Sequence, residues 1–301
     1  MFVNSKGSVG GVAFAFAIVY VVWGSTYLAI RIGVHDAPAI LFAGTRFLLA
    51  TGPMLAYAYW RGARLPKARR DWAVIAITSL LMLVGANGLV TWSEQWVPSN
   101  QAALLVATSA LWMAGFGTLG LSGEALSRWT LAGLIVGFLG VAVLVGDGLR
   151  AALAPWPAYL ALVISPIFWA AGSVVSRRHP VGCPPPMAAA LQMAIAGIVQ
   201  TGLGLSLGET AQWHWTSGTV GALIYLALLG SCLAYGAYFW LVHEVTPSQL
   251  GTYAYVNPAV AVLLGWLVLD ERLSEMQIGG TLIILLSVIG VSLASRQPRS
   301  A

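Results

Sequence analysis

Apolar residues along the chain come in runs too long and too continuous for the core of a soluble domain. In windows of about 19 residues there are ten such runs. Their approximate limits are 10–32, 37–60, 72–93, 99–121, 128–147, 156–176, 186–207, 218–242, 247–269 and 275–295. Each is close to the roughly 20 residues an α-helix needs to cross hydrocarbon about 30 Å thick. The polar stretches between them are short and leave no room for a soluble domain. The pattern predicts an all-α integral membrane protein with ten transmembrane helices. The first run exceeds the roughly 7–15 apolar residues of a signal-peptide core, so it is expected to stay as a span.

Composition agrees. Of 301 residues, 58% are hydrophobic and only 8% charged, against about 25% charged in soluble domains. The basic residues sort by side. Lys6, Arg61, Arg64, Lys67, Arg69, Arg70, Arg128, Arg177, Arg178, Arg296 and Arg299 flank the runs on one side, and Arg31, Arg150 and Arg272 on the other. By the positive-inside rule both termini are cytoplasmic. Trp92, Trp96, Trp156, Trp213 and Trp215 fall near the outer boundary, where interfacial aromatics gather. The net charge of +5 is spread thinly and makes no basic helix face, so nucleic acid is not an expected partner.

Several chemistries find no support. Cys183 and Cys232 are far apart and form no CxxC pair. His35, His179, His214 and His243 are dispersed without metal-ligand spacing. There is no P-loop, GxSxG or HExxH motif. No cofactor is expected, and neither an enzyme nor an ATP-driven motor.

The chain repeats itself. "VPSNQAALLVATSALW" (Val97–Trp112) aligns with "TPSQLGTYAYVNPAVA" (Thr246–Ala261), "GEALS" (Gly123–Ser127) with "DERLS" (Asp270–Ser274), and "WGS" (Trp23–Ser25) with "WAAGS" (Trp169–Ser173). The first member of each pair lies in residues 1–150 and the second in 151–301. Five runs per half is an odd number, so the halves have opposite orientation. Inverted repeats place a binding site near the midplane, where the halves meet.

Depth counting finds the polar groups there. The midplane lies about ten to twelve residues into a helix. Asn257 and Pro258 fall at that depth in the ninth run, Thr108 and Ser109 in the fourth, Trp23 and Ser25 in the first, and Trp169 and Ser173 in the sixth. Tyr253 shares a helix face with Asn257. These residues, Trp23, Ser25, Thr108, Trp169, Ser173, Tyr253 and Asn257, are the candidate substrate wall. Packing between helices is the competing use for such groups. Arg31, Arg46 and Glu94 lie at similar depth in the outer half, where an Arg–Glu pair would close a gate; a snorkelling arginine is the alternative. Glu124 and Glu271 each precede a serine, Ser127 and Ser274, placed to cap the next helix. The "GLIVG" at Gly133–Gly137 reads as a helix-packing motif.

Five stretches taken in order, "VWGSTYLAIRIG", "GTRFLLA", "VPSNQAALLVAT", "GEALS" and "TYAYVNPAVAVLLGW", resemble the EamA-domain family of the drug/metabolite transporter superfamily. The resemblance spans nearly the whole chain and both halves. It implies ten helices in two inverted five-helix repeats, a place in the bacterial inner membrane, and export of small metabolites or amino acids by alternating access. Asn100 departs from the family pattern, which has glycine there; Ser99 or Asn100 is suited to cap the fourth helix.

All ten acidic residues lie in connections or at run ends, none at the midplane. A central carboxylate that would neutralise a cationic cargo is therefore missing. The expected cargo is neutral or zwitterionic and amphipathic, and Glu94 is the first candidate for proton coupling. An importer or a scramblase-type permease of the same fold is the alternative. A membrane enzyme or receptor lacks its motifs or its extra domain. Oligomeric state leaves no signal in the sequence.

Overall fold

In hydrocarbon every backbone N–H and C=O must find a partner within its own segment, so long apolar runs become helices. The computed structural model describes residues 9–116, 128–150, 154–245, 250 and 252–294, and no strand occurs among them. Seven helices there are long and apolar enough to cross a membrane. They correspond to the first, second, third, fifth, sixth, seventh and eighth runs. In chain order the elements are α1 (Val9–Asp36), α2 (Ala39–Trp60), α3 (Arg69–Ser93), α4 (Ser99–Val106), α5 (Ser109–Phe116), α6 (Arg128–Arg150), α7 (Trp156–Arg178), α8 (Pro185–Ser206), α9 (Ser217–Val242), α10 (Tyr253–Leu269) and α11 (Glu275–Ala294).

The fourth run differs from expectation. It is broken into α4 and α5 at Ala107–Thr108. Thr108 Oγ1 donates to Leu105 O at 2.7 Å, and Thr108 N reaches the same carbonyl at 3.2 Å. A hydroxyl that competes for backbone carbonyls favours such a tightened turn over continuous helix. In the repeat alignment Thr108 and Ser109 match Asn257 and Pro258. There α10 stays helical, with Thr252 as N-cap and Pro258 in its second turn.

Three helices also contain π-helical stretches: Val19–Trp23 in α1, Leu80–Asn87 in α3 and Leu226–Tyr235 in α9. Such widened turns are rare and concentrate at functional sites.

Small residues set the tightest contacts. α2 lies along α8, and α6 along α11. A Cβ on Gly140 would stand 2.9 Å from Gly280 O, and one on Gly280 would stand 3.1 Å from Gly140 O. Ser287 Oγ donates to Gly133 O at 2.5 Å, so the "GLIVG" stretch packs on α11. α1 packs against α9 and α10, and α7 against α3, α4 and α5.

The capping expectations divide. Ser274 and Gln277 form a full capping box, with Gln277 N donating to Ser274 Oγ and Ser274 N to Gln277 Oε1, each at 3.1 Å. Neither Ser99 nor Asn100 caps α4. Glu271 does so from the other half, accepting Ser99 N at 2.9 Å, Ser99 Oγ at 2.8 Å and Asn100 N at 3.1 Å. A carboxylate satisfies several orphan donors and the helix dipole at once, which a hydroxyl cannot match. Glu124, Ser127, Lys6, Arg296 and Arg299 lie outside the described residues.

Candidate functional site

The π-helical stretches and the broken fourth run surround one cavity of about 80 Å³, room for several water molecules. α1 contributes Trp23, Thr26, Tyr27 and Ile30; α2 contributes Arg46 and Phe47; α3 contributes Leu83, Ala86, Asn87 and Val90. Val106 and Ser109 flank the break, Ser165 and Trp169 come from α7, Gly230, Ser231 and Tyr235 from α9, and Tyr253 and Asn257 from α10.

One end of the cavity is aromatic. Trp23 meets Trp169 edge-on at 5.4 Å, Tyr253 edge-on at 5.8 Å, and Tyr238 at 4.8 Å between ring centroids. Tyr235 stands 6.4 Å from both tryptophans. Trp23 Nε1 donates to Gly230 O, within the π-helical stretch of α9, at 3.1 Å. Offset and edge-on contacts of this kind hold rings in place beyond the gain from burial alone.

The other end is polar. Arg46 is buried in the wall and donates from Nε to Ser231 Oγ at 3.0 Å and from Nη1 to Asn87 Oδ1 at 3.5 Å. Beyond it, Glu94 is fully buried, and neither carboxylate oxygen has a hydrogen-bond partner. Arg31 Nη1 donates to the backbone carbonyl of Glu94, not to its carboxylate. The expected Arg–Glu ion pair is therefore not formed. Arg46 faces the cavity, and Arg31 serves a helix C-terminus, where cations are stabilised by the dipole.

Five wall residues carry buried polar atoms outside normal hydrogen-bond geometry: Ser165 Oγ and Asn257 Oδ1 have no partner, while Ser109 Oγ, Trp169 Nε1 and Tyr253 Oη lie close to one another. Native proteins leave few such groups, since each costs about 1–3 kcal/mol. Their convergence on one cavity is what a ligand site requires.

Of the residues expected at the wall, Trp23, Trp169, Tyr253 and Asn257 line the cavity. Ser25 does not; its hydroxyl bonds to Val21 O, Val22 O and Tyr225 Oη at 2.9, 2.8 and 2.5 Å. Thr108 is occupied at the helix break, leaving Ser109 to the cavity. Ser173 donates to Trp169 O at 2.8 Å and meets Tyr238 Oη at 3.0 Å, behind the ring cluster. Tyr27, Asn87, Ser165, Ser231 and Tyr235 were not foreseen. Asn87 and Ser231 each had a signal, a polar residue inside an apolar run, but depth alone did not single them out. Among the described residues no group of three or more His, Cys, Asp or Glu is placed to hold a metal ion.

Comparison with known proteins agrees with this architecture. The model of the EamA-like transporter family matches residues 10–146 and again 156–293. The chain is 39% identical over 282 residues to the uncharacterized inner membrane transporter YedA of Escherichia coli (strain K12), covering 93% of this chain and 90% of that one. It is 26% identical over 282 residues to a probable amino-acid metabolite efflux pump of Salmonella typhimurium (strain LT2), covering 90% and 91%. A crystal structure of 20% sequence identity superposes with a TM-score of 0.69 over 96% of this chain and 99% of the other, a likeness of fold. The relatives are membrane transporters, and this chain belongs to the EamA-like transporter family.

Proposed function

We propose that the protein is a secondary transporter that exports small neutral or zwitterionic amphipathic metabolites, amino-acid-like in character, across the bacterial inner membrane. Ten spans form two inverted halves, 1–150 and 151–301, with both termini cytoplasmic. Rocking of the halves exposes the cavity to each side in turn. The observation that carries this reading is the convergence on one cavity of buried polar groups, Ser165 Oγ and Asn257 Oδ1 without partners among them, and an aromatic cluster. Two further features favour the inverted halves. The family model matches twice, and the packing of α1 on α9 and α10 has its counterpart in that of α7 on α3, α4 and α5. Export of an amino-acid-like cargo agrees with the efflux-pump relative. Glu94, buried and unpartnered at the polar end, is the proposed site of proton coupling.

The test compares metabolites in the medium of cells that overexpress the protein and of cells that lack it, then measures the flux of the leading candidates in proteoliposomes. Outward flux of an amphipathic metabolite, lost in Trp23→Ala while insertion is normal, is the expected outcome. Wild-type flux in that variant removes the proposed site. Flux that runs only inward, or of lipid alone, selects the importer or scramblase reading.

A further inference from the structure

Among the described residues that line the cavity, Arg46 alone carries a formal charge, and there is no Asp, Glu, Lys or His. A guanidinium stays protonated even when buried, and an unpaired charge in a low-dielectric wall is costly. Here its partners are two neutral groups, the Ser231 hydroxyl and the Asn87 amide oxygen, which engage Nε and Nη1. Glu94 acts on Arg46 through space but does not lie within 4.0 Å of it as an ion pair. The remaining nitrogen packs against Gly230, which has no Cβ; one added there would stand 3.2 Å from Arg46 Nη2.

From this geometry we infer that Arg46 is the anchor for a carboxylate on the cargo, so the transporter selects small carboxylates with an apolar or aromatic body. The inference rests on the reading of this cavity as the transport site. The chemistry is specific. A planar guanidinium fork matches a carboxylate in bidentate fashion, and the match is lost when either partner changes shape. The rings of Trp23, Trp169, Tyr235 and Tyr253 in the same wall supply the apolar contact. Where the cargo also bears an ammonium group, Asn257 Oδ1 and Ser165 Oγ are acceptors without partners, and the ring faces attract a cation. A cargo with a cation and no carboxylate would instead face Arg46 with like charge.

The test uses purified full-length protein and four probes: phenylacetate, L-phenylalanine, L-phenylalanine amide and 2-phenylethylamine. Isothermal titration is expected to give binding of the two carboxylates at least tenfold tighter than of the amide and the amine, the range for a hydrogen bond to a charged group. Arg46→Gln is expected to erase that preference and Arg46→Lys to retain part of it. Asn87→Asp keeps Arg46 but gives it an internal counter-ion, and it too is expected to lose the preference. Probes that bind in a Trp23-dependent manner without preferring the carboxylate overturn the role of Arg46 and leave the cavity reading standing. A preference that survives both Arg46→Gln and Asn87→Asp overturns it as well. If no probe binds, or binding is indifferent to Trp23→Ala, the cavity reading and this inference fall together.

Discussion

Two regions around the cavity are built by different physics. At the aromatic end, Trp23, Trp169, Tyr235, Tyr238 and Tyr253 fill space with interlocking rings from α1, α7, α9 and α10. Around Arg46 and Glu94, side chains hydrogen-bond to helix termini. Arg31 holds the carbonyl of Glu94, and Glu271 caps α4 through Ser99 and Asn100. Ring packing is spread over many contacts and changes gradually as rings slide. A helix cap is made or lost at one place. On the proposed rocking mechanism, the rings would act as a yielding seal and the cap as a discrete latch.

The largest effect should come from breaking the aromatic seal. Trp23→Ala removes contacts to four rings and the bond to Gly230, so stability should fall by about 3–5 kcal/mol. Substrate flux should vanish, as measured in proteoliposomes against an equal amount of inserted protein. Flux close to wild type would mean that the rings are packing alone.

The latch should respond less. Glu271→Ala strips Ser99 N, Ser99 Oγ and Asn100 N of their acceptor, a loss of about 1–2 kcal/mol typical of a cap. That converts to roughly tenfold greater opening at the polar end. It can be read as faster labelling of Val106→Cys by an impermeant thiol reagent added outside. Equal labelling with and without Glu271 would show that the cap is structural only. Glu94→Gln, one step nearer the cavity, should leave binding intact while abolishing flux driven by an imposed proton gradient. Retained proton-driven flux would place coupling elsewhere.

The smallest effect sharpens the contrast from the other side. Tyr238→Phe keeps the ring and deletes only the hydroxyl that meets Ser173. It should cost about 1 kcal/mol in thermal unfolding and leave flux near normal, because the seal depends on ring area. Labelling at neutral pH also depends on how slowly the native Cys183 reacts. Partial burial, and then the nearby Asp71, push its thiol up to about 11. It should react slowly with maleimide at pH 7 and faster only as pH rises towards that value. Asp71→Asn should bring the onset lower.

Much of this was legible in the sequence, for identifiable reasons. Run length and the cost of unpaired backbone in lipid locate the helices. Depth counting found Trp23, Trp169, Tyr253 and Asn257, because a tryptophan or an asparagine at mid-membrane stands out against leucine and valine. The π-helical stretches left no trace. Within Leu80–Asn87 and Leu226–Tyr235 nearly every position is apolar, so a change of turn width alters no hydrophobic face. Hence Asn87, Ser231 and Tyr235 were not placed at the wall. The break at Thr108 was hidden because a threonine hydroxyl either bonds its own turn or a neighbouring helix, and the order of residues does not choose between them. Depth counting puts Arg46 in the outer half and leaves its partners open. Which way a long side chain turns depends on neighbours, here Ser231 and Asn87, from helices distant in the sequence.

Alternate exposure of the cavity wall is tested most directly by Ser109→Cys in a background where Cys183 and Cys232 are serine. Ser109 lines the cavity beside the break in the fourth run. An impermeant thiol reagent is added either outside or inside oriented vesicles. Labelling from both sides, each slowed by the transported metabolite, is the predicted result. Labelling from one side only, or from neither, would contradict a cavity that opens to each face in turn.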